Sequence, residues 1–239
     1  MQSANYKKPS FINLQFEICT LQFTILNMSR PYYYRPAFDI FAPLYDLGMW
    51  LIGLPFGGER RLRSAVIEKM TPLQDCRILE MCCGTATLSL MAAENGASVY
   101  GLDITHGMLN VAQEKARNKG ARLGLIQTDA ISMPFKEKVF DRVVASMGLH
   151  EIPFDATRGV LKEIKRVLKD NGRFVIFDYH QGEGFAGFLQ KIFFVFAEHG
   201  PAREFIRADL QRELREAGFK NFNRGLLAKG ALQIITVTV

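Results

Sequence analysis

The sequence predicts an α/β fold built on a seven-stranded, mostly parallel sheet, with helices on both faces and an amino-terminal helical cap. From residue 75 onwards, short apolar runs alternate with longer amphipathic stretches, which is the pattern of helices layered against a parallel sheet. Polar residues follow several of the apolar runs, where parallel strands end. The last two apolar segments are separated by a Lys-Gly turn, which predicts a closing antiparallel pair.

Each element follows from local pattern and composition. Five strands are predicted before the closing pair, over residues 77–81, 98–104, 122–130, 141–147 and 173–179. Helices are predicted between and after them, over residues 87–96, 108–119, 157–168, 184–199 and 208–219. The helix over 184–199 is rich in phenylalanine, KDNG at 169–172 predicts a turn, and segments 221–230 and 231–239 form the closing pair.

Three regions are expected along the chain. Residues 75–239 form one domain, since the 48% hydrophobic content is ample for a core. Residues 28–74 form the helical cap. Residues 1–27 mix apolar residues with Asn, Gln and Glu, which makes a poor membrane span, and MSRPYYYRPAF from Met28 reads like a natural amino terminus. We expect residues 1–27 to be a loosely ordered, dispensable extension.

Charge and cysteine content exclude some functions. The net charge of +6 comes with two arginine clusters, around residues 60–63 and 203–215, which are typical of solvated helix faces. The four cysteines include the adjacent pair Cys82 and Cys83 but no CxxC pair, and the histidines show no metal-ligand spacing beside them. These features favour a reducing cytoplasm and exclude a metal site.

The segment ILEMCCGTAT at 78–87 allows three interpretations: an altered dinucleotide loop, a redox or metal site on the two cysteines, or a loop for a different adenosine cofactor. A dinucleotide loop needs G-x-G-x-x-G so that the backbone can approach a pyrophosphate. Cys82, Gly84 and Thr87 stand at these positions, so only the middle glycine is present. The NAD interpretation is therefore weak, and the cysteines are expected to be small buried loop residues.

Carboxylates at successive strand ends point to the third interpretation. Glu80, Asp103, Asp129 and Ser146 should meet at the carboxyl edge of the sheet. Glu80 could attract an ammonium group directly or through water, whereas it would repel a pyrophosphate. Asp103 lies 103 − 84 = 19 residues after Gly84, close to the spacing of about 20 known for ribose-binding acids. A single strand-end aspartate is usually a turn former, but the set favours S-adenosylmethionine over NAD.

Over residues 37–220 the chain resembles the class I S-adenosylmethionine-dependent methyltransferases, which have a Rossmann-like fold. ILEMCCGTAT is similar to their first motif, with Cys82 and Ala86 in place of glycines. VYGLDITHGML is similar to the second, which implies that Asp103 holds the ribose hydroxyls, Ile104 packs on adenine and Met108 lines the adenine pocket.

Three further segments extend the resemblance. QTDAISMPF implies that Asp129 accepts a hydrogen bond from the adenine amino group, with the backbone of Ala130 beside it. FDRVVASMGLHEI is similar to the fourth-strand motif and contributes Met147. FDIFAPLYDLGMW is similar to the amino-terminal helix of the branch containing ubiquinone and menaquinone C-methyltransferases and phospholipid N-methyltransferases, which implies that Tyr45 contacts the cofactor.

Methyl transfer needs alignment of donor and acceptor, and a base only where the acceptor loses a proton. His150, just after the fourth strand, is the predicted catalytic residue; a polar cap of the next helix is the alternative. His180 is a second candidate, and His106 and His199 are expected at the surface.

The predicted acceptor is small and apolar. The chain lacks the Asn or Asp followed by two prolines and an aromatic residue that nucleobase methyltransferases carry after the fourth strand, so no nucleic-acid partner is expected. WLIGLPF at 50–56 and FLQKIFFVF at 188–196 suggest a lid over a quinone precursor or lipid, with peripheral membrane contact. A core or oligomer contact would explain either segment alone. A cofactor-binding protein without catalysis, and an NAD-dependent oxidoreductase, are the alternative functions.

Overall fold

A computed structural model describes residues 34–182 and 201–239. The predicted extension at 1–27, the phenylalanine-rich helix at 184–199 and His199 lie outside these residues. The predicted sheet is confirmed: seven strands in the order β3-β2-β1-β4-β5-β7-β6 form one sheet, in which β7 runs antiparallel to both of its neighbours.

The strand bounds are close to those predicted. They are Arg77–Met81 (β1), Ser98–Asp103 (β2), Leu123–Gln127 (β3), Phe140–Ser146 (β4), Leu168–Tyr179 (β5), Lys220–Leu227 (β6) and Leu232–Thr238 (β7). The turn predicted at 169–172 is wrong, because these residues belong to β5. The pairing of β4 with β5 shifts register between Phe140 and Arg142, so the KDNG residues are accommodated as an irregularity within the strand.

Seven α-helices are described. They span Ala37–Gly53 (α1), Glu59–Met70 (α2), Thr87–Glu94 (α3), His106–Asn118 (α4), Phe154–Val167 (α5), Pro201–Arg207 (α6) and Leu210–Glu216 (α7). α5 shows why they form: Val160, Leu161, Ile164 and Val167 recur at helical spacing and are all buried. The arginine-rich face predicted around 60–63 is only partly solvated, since Arg63 is 8% exposed and pairs with Glu59.

The core consists of two apolar layers, one on each face of the sheet. Alternate residues of the central strands enter opposite layers, so Leu79 and Met81 join one cluster while Ile78 joins the other. Removal of each such large side chain from water contributes about 1.5–3 kcal/mol. This packing fixes β1, β2 and β4, whose carboxyl ends carry the polar residues.

α1 lies against α4 and is fastened there by two carboxylates. Asp39 Oδ1 accepts a hydrogen bond from the Gly107 amide at 2.6 Å, and Asp46 Oδ2 pairs with Lys115 Nζ at 2.6 Å. A Cβ at Gly107 would come within 2.6 Å of the Asp39 carbonyl oxygen, so glycine permits this close approach. No helix within 34–182 or 201–239 has the length and apolar character needed to cross a bilayer.

Candidate functional site

A cleft opens at the carboxyl edge of the sheet, where the strand order reverses between β1 and β4. Ligands of open α/β sheets bind at such switch points. The cleft contains about 750 Å³ of space, including the open solvent at its mouth. It is lined by the end of β2, by residues that follow β1, β3 and β4, and by residues of α1 and α4.

The turn between β1 and α3 forms one wall of the cleft. Cys82, Gly84 and Ala86 all adopt left-handed backbone conformations, with φ of 51°, 51° and 57°. The turn therefore keeps the shape of a glycine-rich loop, at a steric cost of about 1–2 kcal/mol for each residue that carries a Cβ. The Cys83 amide donates to the Leu102 carbonyl at 3.0 Å, which pins the turn to the end of β2.

Asp103 is the polar centre of the cleft. Its Oδ2 accepts from the Gly84 amide and its Oδ1 from the Thr105 amide, both at 2.8 Å. Burial raises the pKa of this carboxyl group, and the two amides only partly oppose that effect. Each oxygen retains a lone pair for a ligand hydroxyl.

One end of the cleft is largely apolar. Ile104, Met108, Ala130 and Phe38 line it together with Asp129. Asp129 Oδ1 accepts from the Ile131 amide at 3.0 Å, which orients the carboxylate. This end offers stacking surfaces and one acceptor, the features that an adenine ring requires.

The opposite end lies between α1 and the residues after β4. Tyr45, Met147, Gly148 and Glu151 line it beside Cys82. A Cβ at Gly148 would overlap the Cβ of Cys82. Cys82 stands where the family has a glycine, and the absence of a side chain at Gly148 leaves room for its Cβ.

Glu80 does not line the cleft, contrary to its predicted contact with the cofactor. The side chain is 2% exposed and accepts a hydrogen bond from Ser89 Oγ at 2.5 Å. Burial raises its pKa to about 7, although Ser89 and the charge of Arg63 lower it. The side chain at the end of β1 points beneath the turn, into the packing against α3.

His150 does not line the cleft either, and lies behind Glu151. It is 3% exposed, and its Nδ1 lies 2.6 Å from Asp178 Oδ1. His180 is bonded through Nδ1 to the Gly230 carbonyl at 2.9 Å, away from the cleft lining, and His106 is exposed as predicted.

The cysteines of the turn lack the surroundings of reactive thiols. Removal from water raises the pKa of both Cys82 and Cys83, and the nearby charge of Asp103 raises it further. A protonated thiol is a poor nucleophile and a poor metal ligand. This environment favours their predicted role as loop residues.

The sequence interpretation missed several lining residues, among them Phe38, Thr128, Gly148 and Glu151. Glu151 directly follows His150 within the fourth-strand motif, so its position was available as a signal. The remaining predicted residues are brought together in the cleft: Tyr45, Cys82, Gly84, Asp103, Ile104, Met108, Asp129, Ala130 and Met147.

The cleft suits S-adenosylmethionine better than a dinucleotide. Among the lining residues within 34–182 and 201–239, the cation is Arg35, whose Nη1 lies 3.1 Å from Glu151 Oε2. The Gly84 amide donates to Asp103 at 2.8 Å, so this amide of the turn is not available to a phosphate. A neutral adenosine avoids this conflict, and the carboxylates suit its hydroxyl and amino groups.

Comparisons with known proteins agree with this geometry. A family described as a methyltransferase domain matches residues 78–172. An uncharacterized methyltransferase from Synechocystis is 31% identical over 193 residues, which cover 80% of this chain and 89% of the relative. A demethylmenaquinone methyltransferase from Geobacillus kaustophilus is 33% identical over 190 residues, covering 70% of this chain and 80% of the relative.

A solved structure extends the comparison at the level of fold. An S-adenosylmethionine-dependent methyltransferase from Aquifex aeolicus aligns with a TM-score of 0.58 at 21% identity, covering 74% of this chain and 89% of the other. The chain belongs to the class I S-adenosylmethionine-dependent methyltransferases, in the ubiquinone and menaquinone branch, and S-adenosylmethionine is its cofactor.

Proposed function

We propose that this methyltransferase acts on a small apolar acceptor, a quinone precursor or similar lipid, which it takes from a membrane surface. The observation that carries the proposal is the two-sided character of α1. Its inner side contributes Phe38 and Tyr45 to the cleft. Its outer side exposes large apolar side chains.

The outer side of α1 is a continuous apolar stripe. Four large side chains recur at the spacing of one helix face and are between 53% and 74% exposed: Ile40, Leu44, Leu47 and Leu51. A stripe of this kind on a helix over a site is typical of contact with lipid or protein. Arg60 and Arg61 are exposed at the start of α2, which supplies positive charge for an anionic lipid surface.

The cofactor roles follow from the cleft. In this proposal Asp103 accepts hydrogen bonds from the ribose hydroxyls, and Asp129 accepts one from the adenine amino group. Ile104 and Met108 pack on the adenine ring, while Gly84 and Cys82 border the methionine tail. When bound, S-adenosylmethionine supplies an electrophilic methyl group on a positively charged sulfur.

The acceptor end supports an apolar substrate. Tyr45, Met147 and Ile152 line it, and the polar Glu151 there is already paired with Arg35. The Geobacillus relative is named for demethylmenaquinone, an apolar quinone. A quinol ring fits a cleft that has both polar and apolar lining residues, and its lipid tail fits the apolar outer side of α1.

Vesicle assays test the proposal. Methyl transfer to reduced demethylmenaquinone would be measured in vesicles with and without an anionic lipid, together with protein cosedimentation. A triple variant with Leu44→Gln, Leu47→Gln and Leu51→Gln preserves helix propensity. Each replacement should remove about 1 kcal/mol of the free energy of vesicle binding, so the affinity for vesicles should fall by on the order of 100-fold.

The control variant is Leu226→Gln, which removes an apolar side chain that is 54% exposed on β6. It should leave vesicle binding and turnover unchanged. The membrane part of the proposal fails if the triple variant binds vesicles as the parent does. The acceptor part fails if the quinol receives no methyl group while the protein still binds S-adenosylmethionine.

A further inference from the structure

A chain of polar contacts leads from the cleft towards the sheet interior. Glu151 lines the cleft, and its side chain is 24% exposed. Its Oε2 lies 3.1 Å from Arg35 Nη1, and its Oε1 lies 3.5 Å from His150 Nε2. On the other side of the ring, His150 Nδ1 lies 2.6 Å from Asp178 Oδ1.

Asp178 is placed to hold the imidazole of His150. It is completely buried, and it accepts hydrogen bonds from the backbone amides of Leu149, His150 and Tyr179 at 3.1, 3.2 and 2.7 Å. An ionised carboxylate only accepts, so the 2.6 Å contact requires a proton on Nδ1 of His150. The Tyr179 ring, 4.6 Å from the imidazole, packs against it. Nε2 is thereby aimed at Glu151.

Glu151 is held in its negative form. Burial by itself would raise its pKa, but the hydrogen bond and charge of His150 and the charge of Arg35 outweigh burial, and the pKa lies below its ordinary value. Tyr45 of α1 and Cys82 of the turn after β1 are further titratable groups near this carboxylate. Glu151 is thus an ionised carboxylate beside Arg35 at neutral pH.

Such a charge has a use in this reaction. A neutral acceptor would become positively charged when its electron pair bonds to the methyl carbon, because the bond from that carbon to the donor sulfur would break and leave its electron pair on the sulfur. A preorganised carboxylate in a partly dry cleft stabilises a charge that develops in the transition state. The methylated acceptor is also strongly acidic, so even a weak base can take its proton.

We propose that Glu151 is a catalytic carboxylate of the acceptor site, and that His150, Asp178 and Arg35 are its positioning residues. The negative charge of Glu151 faces the positive charge that methylation places on the acceptor. Glu151 then takes the proton of the methylated acceptor. The electron pair of the broken bond to hydrogen stays on the acceptor, which leaves as a neutral product, and the protonated Glu151 returns its proton to solvent.

Kinetics and binding test the catalytic part. Glu151→Gln keeps the size of the side chain but loses the charge and one of the two acceptor oxygens, and it should lower kcat for reduced demethylmenaquinone by about 100-fold or more. Its affinity for S-adenosylmethionine, measured by calorimetry, should stay at the parent value. Glu216→Gln, a surface substitution on α7, should change neither quantity. Unchanged kcat in Glu151→Gln would overturn the proposal, and so would an equal loss of cofactor affinity.

The kinetic test rests on the proposed function, because it uses reduced demethylmenaquinone as the acceptor. A second test by NMR spectroscopy needs no acceptor. In ¹⁵N NMR, the Nδ1 atom of His150 should carry a proton, because Asp178 Oδ1 lies 2.6 Å from it. Glu151→Gln should shift the Nε2 signal, and Asp178→Asn the Nδ1 signal. If the ¹⁵N signals of the His150 ring were the same in the parent and in Glu151→Gln, the positioning role of His150 would be overturned. This result would hold even if the quinol were not a substrate.

Discussion

Replacement of Glu80 by glutamine should stabilise the protein above neutral pH and remove part of its pH dependence. Glu80 is 2% exposed, with Ser89 as its hydrogen-bond donor. Burial raises its pKa from 4.5 to about 7, against the smaller opposing effects of Ser89 and Arg63. The folded protein therefore retains this proton in a range where the unfolded chain has lost it.

The sign and size of the effect follow from that difference. Between pH 4.5 and about 7 the folded state binds more protons, so the free energy of unfolding falls as pH rises. The total loss is about 3 kcal/mol, of which about 2 kcal/mol falls between about pH 5.5 and 8.5. Glutamine has no proton to lose there, so the Glu80→Gln variant should lack this component.

Urea unfolding of parent and variant at the two pH values measures the difference directly. The parent should lose about 2 kcal/mol more than Glu80→Gln on going from the lower to the higher pH. Glu68→Gln, at an exposed position on α2, controls for the chemistry of the substitution. Equal losses in the parent and Glu80→Gln would refute the argument that Glu80 is a buried structural group.

Three further outcomes are expected. Asp103→Ala should abolish the thermal stabilisation by S-adenosylmethionine, which in the parent should reach about 2.7 kcal/mol at about 100 times the dissociation constant; an equal shift in both proteins would contradict the ribose role. Gly148→Ala should destabilise the protein through overlap with Cys82, and Cys82→Gly should restore stability in the double variant; additive losses in a thermal melt would exclude the steric pairing. Lys115→Met should weaken cofactor binding and speed proteolysis within α1, because Lys115 bonds Asp46, Thr85 and Thr87 at 2.6, 3.2 and 2.7 Å; an unchanged proteolytic rate would refute the fastening of α1.

Local sequence signals were sufficient for much of the fold. Strand β1 was predicted at its observed bounds because an apolar run ends at a turn whose residues break the strand. The KDNG segment was predicted as a turn from composition, yet it lies within β5. Leu168 and Arg173, on either side of this segment, pair with β4, and local composition does not encode such long-range contacts.

Some features of the candidate site could likewise be predicted from the sequence, and others could not. Asp103 and Asp129 follow parallel strands, and the sheet geometry necessarily brings such strand ends to one edge, so their meeting could be predicted from sequence order. The direction of a side chain at a strand end depends on packing above and below the sheet. Glu80 points under α3 towards Ser89, and His150 points back to Asp178, and neither direction could be inferred from the motifs.

The sequence by itself determined the α/β sheet, the turn after β1 and the family of methyltransferases, because these depend on periodicity and on residues close together in the chain. Only the tertiary structure decided that Glu151, rather than His150, faces the cleft, since that depends on contacts with Asp178 and Arg35 from distant segments. It alone also showed that α1 turns apolar side chains outward while lining the cleft with its inner side. Which side of a helix is buried is settled by its neighbours, and those are assembled only in the folded chain.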